Sequence, residues 1–249
     1  KVDKAGYRHF MEKEIHEQPD AIANSLSAMT GSDQRLSIGM SRQELIDIEG
    51  ILMVAAGTSY YASLVARFWI ERLAKIPVSC EVASEYHYRN PVASHLTTAI
   101  AITQSGESLD TLMALRYAAK LNLKTIALTN VKDSTIARES EFVLSTHAGP
   151  EIGVASTKAF TSQLSVLLIF SVVLAEARGQ ITKEQADKIH HQIQCLPRLV
   201  AQTLKIFERV TVVKDIIKQE VKRALTAEGP KYRSGDRGEN KRQKATKNA

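Results

Sequence analysis

The amino-acid sequence predicts an α/β protein in which a five-stranded parallel sheet lies between two layers of helices. Five short runs have the length of strands, and helical stretches of a dozen residues or more follow the first and the third of them. Strands that are buried on both faces of a parallel sheet are apolar throughout, as most of these runs are, and their alternation with helices is typical of βαβ units. The predicted three-layer αβα sandwich spans roughly residues 45–150.

The elements divide the chain into three parts. The predicted strands are residues 51–56, 78–82, 97–102, 123–129 and 141–145, with helices to about Leu73 and Leu121 after the first and third. One loose apolar stripe predicts a helix before the sheet, and similar patterns predict long C-terminal helices after it, at residues 7–29, 155–177, 182–208 and 210–225. The parts are a helical lead-in (1–44), the α/β domain with its long helices (45–225) and a basic tail (226–249).

Composition indicates a soluble, cytoplasmic protein. Two cysteines, Cys80 and Cys195, cannot form a disulfide framework, which fits a reducing compartment. The longest uncharged stretch, residues 159–175, contains several hydroxyl side chains and falls short of the roughly 20 apolar residues of a membrane span, so it predicts a buried helix. The sequence opens at Lys1 without an apolar leader, which indicates a piece of something longer.

The basic charge is concentrated at the carboxyl end. Residues 229–249 carry seven basic side chains and two acidic ones, which accounts for most of the formal net charge of +6. This segment has almost no large apolar residues and cannot bury enough surface to offset its ordering entropy, so we expect it to be disordered. The pI near 9.2 describes this tail and gives little reason to expect nucleic acid as a partner.

Two strand-to-helix turns are the first candidates for a binding site. Residues 57–59 (Gly-Thr-Ser) follow the first strand, and residues 103–108 (Thr-Gln-Ser-Gly-Glu-Ser) follow the third. Ligands of open α/β sheets bind at the carboxyl ends of the strands, and both turns place hydroxyl groups where a helix N-terminus favours an anion. A phosphate monoester on a small polyhydroxylated molecule fits them, whereas a nucleoside triphosphate does not, because the GxxxxGK[ST] loop is missing.

A structural interpretation of these turns stays open at this point, because Ser and Thr are ordinary helix N-caps. A third segment, residues 151–158, opens the helix after the last strand and is open to the same two interpretations. Glu107 and Glu151 are candidate helix-start charges before they are catalytic acids. Lys158 could contribute to a pocket or have a structural role, and the seven histidines show no metal-ligand spacing, so no metal is expected.

Six segments, in order along the chain, resemble glutamine–fructose-6-phosphate aminotransferases, also called glucosamine-6-phosphate synthases. The longest match is EIGVASTKAFT (151–161). The others are YRHFMEKEIHEQP (7–19), AGTSY (56–60), ASEY (83–86), QSGESLDT (104–111) and LP (196–197). The resemblance covers about residues 5–225 and implies a sugar isomerase, or SIS, domain with a parallel five-stranded αβα sandwich.

In that family a glutaminase domain precedes two SIS domains. The complete enzymes convert fructose 6-phosphate and glutamine to glucosamine 6-phosphate and glutamate, the first step of the hexosamine pathway. This chain resembles only the first SIS domain with its lead-in helix. The family's catalytic glutamate, histidine and lysine lie in the second SIS domain or the terminal tail, so the resemblance implies no catalytic residue and no cofactor here, and an inactive chain on its own.

The resemblance also implies a set of ligand residues. The phosphate of the sugar would meet Ser59, Thr103, Gln104, Ser105 and Ser108. Thr58 would lie beside the sugar, while Val154, through its backbone, and Ser156 would touch its hydroxyls. Ala56, Thr103 and Ser108 stand where Cys, Ser and Thr are common in the family, and the last two exchanges keep the hydroxyl group.

Partners and alternative functions complete the predictions. The family dimerises, so a homodimer is expected, with a phosphosugar as ligand and with neither nucleic acid nor membrane as a partner. One alternative is a non-catalytic SIS module that senses a phosphosugar and regulates a partner. The other is nucleic-acid binding by the tail, which its single aromatic residue, Tyr232, and the lack of a recognised module disfavour.

Overall fold

The structure is a computed structural model that describes residues 3–31, 35–91 and 97–227. The strands in these ranges are β1 (Gly50–Ala55), β2 (Val78–Val82), β3 (Thr97–Ile102), β4 (Lys124–Thr129) and β5 (Phe142–Ser145). The first helices are α1 (Phe10–His16), α2 (Gln18–Ala28), α3 (Arg42–Ile46), α4 (Gly57–Leu73) and α5 (Ala83–Tyr86). The remaining helices are α6 (Leu109–Lys120), α7 (Thr135–Arg138), α8 (Lys158–Ala177), α9 (Lys183–Gln194) and α10 (Leu196–Ala227).

The five strands form one parallel sheet in the order β2-β1-β3-β4-β5. Alternate residues of β1 enter two separate cores, since successive side chains of a strand point to opposite faces. Met53 lies in the core on one face, with α4 and α8, and Val54 lies in the core on the other, with α5 and α6. The predicted parallel sheet with helices on both sides is confirmed.

Helix α8 is the central helix of one layer. By length and mean hydropathy (1.7) it could cross a membrane, but 67% of its most apolar window is buried inside this fold. It packs mainly against α4 and α2. The uncharged stretch 159–175 is therefore a core helix, as predicted.

Two predicted helices are divided in the structure. The single helix expected over residues 7–29 is α1 followed by α2, with a break at Glu17 and with Pro19 in the first turn of α2. The helix expected over 182–208 is divided at Cys195 into α9 and α10, whose second residue is Pro197. The break expected at residue 209 was wrong, because α10 continues through the helix predicted over 210–225. Proline lacks the N–H that continues a helix but fits its first turn, so each proline starts a new helix.

Three short helices were not predicted. They are α3, α5 and α7, of four or five residues each, which is too short to show a helical repeat of apolar residues. Side-chain caps start two of them: Ser41 caps α3 in a capping box with Glu44, and Ser134 caps α7.

The chain divides into two compact units. Lys1–Leu204 form the first, which contains the whole sheet together with helices α1 to α9, and Lys205–Ala249 form the second. Helix α10 begins in the first unit. The predicted disordered tail, residues 226–249, lies outside the described residues from residue 228 onward.

Candidate functional site

The two predicted turns follow β1 and β3, the neighbouring strands between which the strand order of the sheet reverses. Strand β1 is paired with β2 on one side and with β3 on the other, and Ala55 is in register with Ile102. The turn into α4 and the turn at 103–108 therefore leave neighbouring strands at the same edge. Such a reversal opens a crevice at the carboxyl ends of the strands, where ligands of open α/β sheets bind.

The 103–108 turn is held by its own hydroxyl groups. The Thr103 hydroxyl oxygen accepts a hydrogen bond from the Gly106 N–H (3.3 Å), and the Ser105 oxygen accepts one from the Glu107 N–H (3.2 Å). The Glu107 carboxylate accepts one from the Thr135 N–H (2.8 Å), which lowers the pKa of that carboxyl. Glu107 is therefore a charge at the start of a helix, as predicted, but the helix is α7, which begins at Thr135.

Four hydroxyls of the two turns accept hydrogen bonds from the protein. Those of Thr103 and Ser105 accept from backbone N–H groups, Ser108 accepts from the Thr111 hydroxyl (3.2 Å), and Ser59 accepts from the Gln163 amide (3.0 Å). Within the described part of the chain, none of the four donates to a protein acceptor. A hydroxyl that accepts keeps its hydrogen for another partner, and an anion is a ligand that can only accept.

The start of α4 and the start of α6 lack side-chain caps. The N-cap of α4 is Ala56, and the Ser108 side chain at the start of α6 makes no capping hydrogen bond. The structural interpretation, in which the hydroxyls of these turns are N-caps of α4 and α6, therefore does not hold. The N–H groups of both first turns remain available to an anion, in contrast to α3, α7 and α9, whose Ser or Thr caps accept from them.

The start of α8 is arranged differently, because a carboxylate of the protein occupies it. Glu151 accepts hydrogen bonds from the N–H groups of Thr157 (2.8 Å) and Ala159 (3.2 Å) and from the Ser156 hydroxyl (3.0 Å). The Ser156 hydroxyl donates its hydrogen to Glu151, and its oxygen can still accept a hydrogen bond from a sugar hydroxyl. The Val154 side chain is fully exposed.

Two carboxylates of the lead-in, those of Glu14 and Glu17, hold the loop before α8 and the first residue of that helix. The sequence analysis predicted neither contact. Buried Glu14 accepts hydrogen bonds from the N–H groups of Ile152 (2.6 Å) and Gly153 (3.0 Å). Glu17 pairs with the buried ammonium of Lys158 at 2.7 Å, which gives Lys158 the structural role. The signal available was their position in the matched segment 7–19, three residues apart on one helical face.

The Glu17 carboxyl is expected to make the fold sensitive to acid. Burial would raise its pKa, but the hydrogen bonds and charges of Lys158 and Lys13 outweigh burial and lower the pKa from its ordinary value of 4.5. A carboxyl with a lowered pKa stabilises the folded chain above its unfolded pKa, and this stabilisation is lost as the pH falls through the folded pKa. Glu17→Gln should therefore lower stability at pH 7 by about 1–2 kcal/mol.

Urea unfolding measured from pH 7 down to pH 3 checks this expectation. The free energy of unfolding of the wild type should decrease as the pH is lowered from about 4.5, the ordinary pKa of the carboxyl. That of Glu17→Gln should decrease less steeply. Parallel curves with equal stability at pH 7 would show that the Glu17–Lys158 pair contributes nothing.

The predicted residues fall into two groups. Thr58 and Ser59 lie in the first turn of α4, after β1, and the 103–108 turn follows the neighbouring strand β3. In that turn Thr103 is buried, Gln104 and Ser108 are half-buried and Ser105 is exposed. Val154 and Ser156 lie in the loop before α8. The Ser59–Gln163 hydrogen bond joins the start of α4 to α8, the helix that this loop precedes.

Neither the cavity beside β4 and β5 nor the metal-ligating side chains of the described residues form a second centre of comparable organisation. A cavity of about 510 Å³ lies beside Thr30, Lys132 and His147, near the ends of β4 and β5, and shares no residue with the two turns. Among the described residues, no three His, Cys, Asp or Glu side chains are grouped as metal ligands would be. The hydroxyls of the two turns, together with the N–H groups of the uncapped first turns of α4 and α6, form the better-organised polar site.

Comparison with known proteins identifies relatives of this arrangement. The SIS domain family matches residues 44–173. The chain is 48% identical over 205 residues to the isomerizing glutamine–fructose-6-phosphate aminotransferase of Bradyrhizobium diazoefficiens, which covers 82% of this chain and 34% of the relative. It is 48% identical over 192 residues to that of Zymomonas mobilis, which covers 76% of this chain and 32% of the relative. It thus spans about a third of the length of these curated relatives.

A solved structure supports the same relationship. The C-terminal domain of glucosamine-fructose-6-phosphate aminotransferase from Francisella tularensis is 40% identical, with a TM-score of 0.81. The match covers 85% of this chain and 60% of that chain. The predicted resemblance is therefore confirmed over most of the described residues.

Proposed function

Since this chain belongs to the SIS domain family, we propose that it is the phosphosugar-binding first SIS domain of a glucosamine-6-phosphate synthase. Its ligand is fructose 6-phosphate or glucosamine 6-phosphate. The hydrogen-bond directions at the two turns carry the proposal: four hydroxyls accept from the protein and are left to donate to an anion. The parent enzyme would make glucosamine 6-phosphate and glutamate from fructose 6-phosphate and glutamine, in the cytoplasm and in the hexosamine pathway.

We propose that the two groups of residues bind different parts of the ligand. The phosphate would meet the hydroxyls of Ser59, Thr103, Ser105 and Ser108, the Gln104 residue and the uncapped helix starts. The sugar, beside Thr58, would meet the loop before α8, where the Ser156 oxygen and the backbone of Val154 can pair with its hydroxyls. None of these groups is a general acid or base at neutral pH, so we propose that the chain alone binds the sugar without isomerising it.

Calorimetric titration tests the proposal. Fructose 6-phosphate should bind the wild-type chain and unphosphorylated fructose should not, because the phosphate supplies the main contacts. Ser59→Ala and Ser105→Ala should each weaken fructose 6-phosphate binding by about 1–3 kcal/mol, the worth of a hydrogen bond to a charged group. Ser140→Ala, a hydroxyl outside the two turns that donates to the Ile136 carbonyl, is the control and should keep the wild-type affinity. Unchanged affinity in both site variants would overturn the residue assignment.

We further propose that the chain forms a homodimer. Tyr61 and Phe68 stand on one face of α4, 62% and 64% exposed, with Val65 between them. An exposed face with several large apolar side chains favours association with another protein surface. Light scattering of the purified chain should give about twice the monomer mass, whereas a single species of 27.5 kDa would contradict the dimer.

A further inference from the structure

The Gln163 side chain is a polar group that packing does not explain. It lies in the apolar helix α8, is 2% exposed and reaches across to α4, where its amide nitrogen donates to the Ser59 hydroxyl oxygen (3.0 Å). Among the described residues, its Oε1 atom has no hydrogen-bond partner and is buried. A buried acceptor without a partner destabilises a fold, so a side chain such as methionine would fill this position at lower cost.

The contact decides which way the Ser59 hydroxyl acts. A hydroxyl can donate one hydrogen bond and accept others, and here the amide nitrogen of Gln163 uses an acceptor position. The Ser59 hydrogen is thereby kept for a partner outside α8. If an acceptor faced Ser59 from α8 instead, the hydrogen would be donated into the helix interface and withheld from a ligand.

We propose that Gln163 is a positioning residue that holds the Ser59 hydroxyl as a donor to the phosphate oxygen of a bound phosphosugar. The inference rests on the proposed function and adds a residue in α8, outside the two phosphate-binding turns. Gln163 does not itself touch the ligand. It acts through Ser59 alone, and that restriction makes the proposal testable.

A double-mutant cycle tests the proposal with four chains: wild type, Gln163→Met, Ser59→Ala and the double variant. Calorimetry with fructose 6-phosphate should show about a tenfold loss of affinity for Gln163→Met, the order expected when one hydrogen bond to a charged group is weakened. In the Ser59→Ala background the same change should cause no further loss, because coupled residues are not additive. Urea unfolding should show Gln163→Met to be at least as stable as wild type.

A second variant keeps the test sharp. Gln163→Glu has nearly the same shape, but its carboxylate accepts the Ser59 hydrogen and repels the phosphate, so its loss of affinity should exceed that of Gln163→Met. Wild-type affinity in Gln163→Met, or an equal loss in the Ser59→Ala background, would overturn the inference and leave the proposed function intact. A wild-type chain that binds neither fructose 6-phosphate nor inorganic phosphate would remove both.

Discussion

Replacing Gly106 by alanine is expected to destabilise the chain by about 2–5 kcal/mol and to abolish phosphosugar binding. Gly106 has a φ of +69°, and an added Cβ would lie 1.9 Å from the Ser134 hydroxyl oxygen and 2.3 Å from its Cβ. Ser134 is buried and caps α7, so moving it away would break that cap. The same change would distort the turn that carries Thr103 and Ser105.

Gly179→Ala is the matched control for this prediction. Gly179 has nearly the same φ (+68°), but an added Cβ would meet nothing within 4 Å, and the residue lies beyond the end of α8. The control therefore contains only the backbone strain of about 1–2 kcal/mol and should leave ligand affinity unchanged. Urea unfolding and calorimetry of both variants provide the comparison. Equal destabilisation would show that contact with Ser134 does not constrain the turn.

Glu14→Ala is expected to lower the free energy of unfolding by about 2–4 kcal/mol, because two backbone N–H groups lose a charged acceptor. Those groups belong to Ile152 and Gly153, which precede the proposed sugar-contacting residues. The loop should then be held less firmly, so that affinity for fructose 6-phosphate falls more than affinity for inorganic phosphate. Glu14→Gln keeps one acceptor oxygen, so its free energy of unfolding should lie between those of wild type and Glu14→Ala.

The control for this second prediction lies on the same helix. Glu12 is exposed, and among the described residues its carboxylate accepts only from the backbone N–H of Arg8, so Glu12→Ala should change stability by no more than about 0.5 kcal/mol. Urea unfolding measures the stability of all three variants, and titrations with both ligands measure the loop effect. If Glu14→Ala lowered the affinity for fructose 6-phosphate and for inorganic phosphate equally, its effect would be on the whole fold rather than on the 151–156 loop.

Several parts of the fold could be predicted from the sequence because they depend on local patterns. The apolar runs that became β1, β3 and β4 are buried on both faces, and such strands show no polar alternation. The short helices α3, α5 and α7 could not be predicted, since four or five residues do not display a helical repeat. The division of residues 7–29 was missed because the apolar stripe continues across Pro19.

The sequence by itself determined the α/β class, the five strands, the family resemblance and the hydroxyl-rich turns, because strand length, apolar content and short motifs are local properties. Only the tertiary structure decided how those hydroxyls are used. The Ser59 hydroxyl accepts a hydrogen bond from Gln163, 104 residues away. Whether the 151–156 loop is held depends on Glu14, 138 residues before Ile152. Hydrogen-bond direction is set by the partner, and folding alone brings these partners together.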